Sequence, residues 1–186
     1  MLAESVSGSS WNTHRTLRTL EEKWDEDPVF FEKFSRLIRK TIDDFRRGRL
    51  EEKAYLERIR AQRDGMERRD DVEDPVPQVL RGKGHETAFW GIARRELRKA
   101  GLHDDALPVN IAVRLTEIIE ARRRVGWHHD RDIQNDMRNA MDDYFFDDVM
   151  SMSSADTTLD PAVMDAIIND VLAAARVRMQ DDGRVR

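Results

Sequence analysis

Cysteine is absent from the 186 residues, which excludes a disulfide framework, a zinc ribbon and a thiol nucleophile and fits a reducing compartment. Nowhere do about 18 apolar residues run together, and the start, MLAESVSGSS, lacks a basic stretch followed by an apolar one. Neither secretion nor membrane spanning is expected; a cytoplasmic protein is. A nucleotide loop is missing too, because Arg81-Gly82-Lys83-Gly84 has neither the spacing nor the following Ser or Thr that cradles phosphates. Signals for β-strands are sparse.

What the chain does have is charge, 37% of residues against 39% hydrophobic, as in helices with heavily charged outer faces. The charge is uneven. Residues 127–186 hold 6 Arg and Lys against 13 Asp and Glu, whereas residues 1–126 hold 26 against 24. An acidic final third is a poor surface for phosphate backbones.

Apolar residues recur at spacings of three and four through most of the chain. A short charged helix is expected over about 12–24, with Leu17, Leu20 and Trp24 on one side. Asp27-Pro28 is an N-cap with proline at the first helical position, and the stripe of Phe30, Phe34, Leu37, Ile38, Thr41, Ile42 and Phe45 follows, closed by Gly48. Further helices are expected over 50–68, 86–99, 105–124 and 130–149. Asp160-Pro161 opens a last one. Pro75-Val76-Pro77 and Gly82-Lys83-Gly84 mark a loop, and residues 151–158 a small-residue linker. The expected fold is all-α, an antiparallel helical bundle of about six to seven helices. The parts are a tail and short helix over 1–24, the bundle over 25–149, and a linker with C-terminal helix over 150–186. Phe34, Ile38, Ile111, Leu115, Met137 and Met141 are expected to share one core.

Several groups invite a chemical reading and have a plainer one. His128, His129, Asp130 and Asp132 lie together, but adjacent histidines diverge, whereas ligating pairs on a helix sit four apart; Asp130 reads better as a helix cap. Asp142, Asp143, Asp147 and Asp148 read as a solvated acidic face, with Tyr144, Phe145 and Phe146 expected on the buried arc between them. The E-x-K patterns of Glu21-Glu22-Lys23 and Glu51-Glu52-Lys53 fall on helices, not on a nuclease strand. Arg122, Arg123 and Arg124 beside Trp127 could meet nucleic acid, or simply close a helix C-terminus. No catalytic, metal or cofactor residue is assigned.

Two stretches carry a resemblance. DPVFFEKFSRLI at 27–38, continuing to KAYLERI at 53–59, and Gly126-Trp127 followed by DIQNDMRNAMDDY at 132–144 are together similar to the C-terminal helical region of the R (restriction, or motor) subunit of type I restriction-modification enzymes. The similarity spans roughly residues 25–149. Gly126 departs from the family pattern, which has an acidic residue before the tryptophan, and residues 151–186 lie outside the resemblance. It implies a fragment or split remnant of a DNA-restriction system whose nuclease and ATPase residues have no counterpart here, so no enzyme activity is expected of this chain alone. The implied partners are the methyltransferase (modification) subunits, with DNA met only indirectly or weakly and no membrane, cofactor or small-molecule substrate. Trp127, Asn135, Arg138, Asn139 and Asp142 are the candidate interface residues, because tryptophan is enriched at hot spots and the others share the polar face of one helix; equally, Trp127 reads as a plug for the end of the bundle, in which case it docks nothing. The rivals are a DNA-contacting element using Arg122, Arg123 and Arg124, and a free-standing regulator competing for the docking site.

Overall fold

The computed structural model describes residues 18, 27–68, 75–150 and 159–180. The helix expected over 12–24 and the linker over 151–158 lie outside the described residues, Arg18 apart. Six α-helices and no strand occur among those described: α1 (Pro28–Arg46), α2 (Glu52–Arg68), α3 (Gly84–Lys99), α4 (Leu107–Arg122), α5 (Arg131–Tyr144) and α6 (Pro161–Arg178). The all-α helical fold expected from the periodicity is the fold observed. No helix among the described residues is long and apolar enough to cross a membrane.

Local chemistry sets where the helices start. Asp27 accepts from the Phe30 amide and precedes Pro28, whose ring already holds a helical φ. Asp130 accepts from the Asp132 and Ile133 amides, and Asp160 from the Ala162 amide ahead of α6. Before α4, Asp104 takes the Ala106 and Leu107 amides.

Residues divide into two compact units, 1–76 and 77–186. In the first, α1 and α2 run antiparallel: Phe45 stacks on Tyr55 with ring centroids 4.5 Å apart, while Gln62, further along α2, donates to Thr41 Oγ1 at 2.9 Å. Their shared core is Phe31, Phe34, Ile38, Tyr55 and Ile59.

The second unit is an up-down-up-down arrangement of α3 to α6, and polar contacts between the helices reveal the directions. His85 at the start of α3 senses Glu120 and Arg123 at the end of α4. Arg122 pairs with Asp136 early in α5, and Arg138 of α5 donates to Asn169 of α6. Arg95 of α3 bridges to Asp170, and Arg178 reaches back to the Gly84 carbonyl at 2.6 Å, so α6 also runs antiparallel to α3. Phe89, Ile92, Ile111, Leu115, Met137, Met141, Ile167 and Val171 are buried here. The expectation of a single core is thus corrected. All six named residues are buried, but Phe34 and Ile38 belong to the first unit and Ile111, Leu115, Met137 and Met141 to the second. Helix α6, expected to follow a bundle ending at 149, is an integral wall of that second unit.

Burial and the nearby Arg178 guanidinium lower the pKa of His85 from its ordinary 6.5, and Arg123 adds to this against Glu120 and Glu86. The unfolded chain therefore binds this proton more readily than the folded one. Stability is complete above the ordinary value and falls as pH drops through it, until the folded state's own lower pKa is passed. In thermal denaturation from about pH 7.5 down to about pH 5, His85→Gln is expected to flatten the loss of stability. An unchanged slope would show that other groups set it.

Candidate functional site

Gly126 opens the candidate region, and its φ of 79° is left-handed. Glycine holds that conformation without the Cβ strain that other side chains would meet. A short 3₁₀ turn, Trp127–His129, then leads through the Asp130 cap into α5. Gln134 steadies the turn by donating to the Trp127 and His128 carbonyls at 3.2 and 3.0 Å.

Trp127 is 0% exposed, and its indole N–H donates to the Met179 carbonyl at 3.1 Å. Of the two readings of Trp127, the buried plug is the one the structure has, and its place among the docking residues is corrected. The ring plugs the end of the second unit and ties the close of α6 to the start of α5, so it offers nothing to a partner while the fold is intact.

The remaining candidates lie along α5. Asn135 and Asn139 are exposed. Arg138 is half-buried because its guanidinium is committed to Asn169 across the α5–α6 seam. Asp142 is also half-buried; desolvation raises its pKa, Asp165 and Asp143 push the same way, and Arg138 opposes them. The structure therefore leaves two exposed amides on the outer stripe and couples the two charged candidates to α6. A double change of Arg138 and Asn139 would disturb that seam, so exposed Asn135 and Asn139 are the cleaner probes.

The arginine group is likewise tied down in part. Arg122 Nε lies 3.1 Å from Asp136, Arg123 Nε lies 2.7 Å from Glu120, and Arg124 is exposed. Two of three guanidiniums already face carboxylates, which competes with phosphate binding. Among the described residues no three His, Asp or Glu gather as metal ligands, and Asp130 is engaged as a cap.

One residue that matters here was placed inward by the helical pattern and is not. Phe145 is buried and Tyr144 half-buried, but Phe146 is 56% exposed. After Tyr144, α5 widens into a π-helical turn, Phe145–Val149, whose Phe145 and Val149 face the core while Phe146, Asp147 and Asp148 face solvent. The spacing of 135, 139, 142 and 146, in steps of four, three and four, is the sequence signal that aligns Phe146 with the polar stripe.

Comparison with protein-family models, curated proteins and solved structures finds no match.

Proposed function

We propose that this chain is a helical assembly module of a type I restriction enzyme R subunit, docking the DNA-translocating and cleaving subunit onto the methyltransferase core in the cytoplasmic restriction of foreign DNA. The observation carrying this reading is the resemblance of the stretches at 27–59 and 126–144, neither of which is a catalytic motif. Its second stretch falls on a capped helix whose outer stripe presents Asn135 and Asn139, groups that form interfacial hydrogen bonds without the desolvation penalty of a charge.

Calorimetric titration of the chain into the purified modification subunits tests the proposal. Wild-type chain is expected to bind, and Asn135→Ala with Asn139→Ala to weaken binding by about 1 kcal/mol or more. The fold should change by about 0.5 kcal/mol or less, as exposed substitutions do. A wild-type chain that shows no binding removes the docking reading. A salt-dependent mobility shift of duplex DNA, lost on changing Arg124 to Ala, would put the DNA-contacting reading in its place.

A further inference from the structure

We infer that Phe146 is the apolar anchor of the docking surface and that the partner meets it with a basic surface holding an apolar pocket; this rests on the docking reading above. Among the described residues the exposed large hydrophobics are three valines and this one aromatic ring. A phenylalanine left in water forgoes the stabilisation that burial would bring, and a buried alternative lay one residue away at Phe145. Phe146 instead closes the outer stripe of Asn135, Asn139 and Asp142, so a partner lying along α5 reaches it last.

The backbone presents the ring. Phe145 and Val149 pin the π-turn from inside, and the wide turn holds Phe146, Asp147 and Asp148 outward together. Such turns interrupt regular helix geometry and recur at functional positions.

The surrounding charge gives the partner's chemistry. Asp143, Asp147 and Asp148 are exposed and Asp142 half-buried, all within four residues of Phe146. Asp165 of α6 adds to the negative potential at Asp142. An apolar centre in an acidic rim is complementary to a basic surface with a hydrophobic recess.

The test is calorimetry of the full chain against the methyltransferase subunits, with circular dichroism to confirm each variant's fold. Phe146→Ala is expected to weaken binding about 30-fold or more, the scale of an aromatic hot spot. Wild-type affinity should fall as salt is raised, and Asp147→Asn with Asp148→Asn should bind more weakly at low salt with a shallower salt dependence. Undiminished binding by Phe146→Ala, with wild-type chain still binding, overturns the anchor and leaves docking standing. No binding by wild-type chain overturns both. A loss with Phe146→Ala that is indifferent to salt and to the aspartates overturns the basic partner. Sedimentation that finds self-association abolished by Phe146→Ala, with methyltransferase binding unchanged, assigns the face to a second copy and overturns the proposal.

Discussion

Replacing Trp127 with alanine is expected to cost about 3–5 kcal/mol of folding stability. The indole is fully buried, and removing it opens a void where the 3₁₀ turn, the start of α5 and the close of α6 meet. It also strips the Met179 carbonyl of its donor. Trp127→Phe separates the two contributions: the ring volume is largely kept, the N–H is lost, and about 1–3 kcal/mol is expected from the unsatisfied carbonyl. Urea denaturation followed by far-UV circular dichroism reads both. A loss under about 1 kcal/mol for the alanine variant would show that the ring is dispensable to the fold and return Trp127 to the docking surface.

Phe34→Ala is expected to act as strongly on the first unit. Its ring is buried among Phe31, Ile38, Tyr55 and Ile59, with Phe30 4.7 Å away between ring centroids. A pair of helices has few buried side chains to share the load, so a loss of about 3–5 kcal/mol removes much of what holds α1 to α2. Hydrogen exchange should show the amides of residues 28–68 losing protection in the variant. Protection equal to wild type would mean that this core does not hold the pair together.

The helical stripes were legible because periodicity and caps are local. Phe34, Leu115 and Met141 each recur with apolar neighbours at three and four, and Asp27, Asp130 and Asp160 stand just ahead of a helix. The candidate site was legible only in part. A tryptophan after a glycine reads equally well as a plug or as an anchor, and the deciding contact is a carbonyl 52 residues away. Arg138 looked like a free surface cation; its partner Asn169 is on another helix. For Phe146 the run Tyr144-Phe145-Phe146 suggested three inward rings, whereas the core stripe of Met137, Met141 and Phe145 leaves it outside.

The sequence by itself determined the helices and their starts, since 3.6-residue periodicity, proline at the first turn and aspartate caps act within a few residues of one another. It determined the uneven charge as well. Tertiary structure alone decided the rest. It divided the apolar residues between two cores, ran α3 to α6 as alternating neighbours, set Arg122 against Asp136, withdrew Trp127 from the surface and left Phe146 on it. Each depends on which helix lies across from which. That pairing is set by summed burial over residues far apart in the chain, which no local spacing encodes.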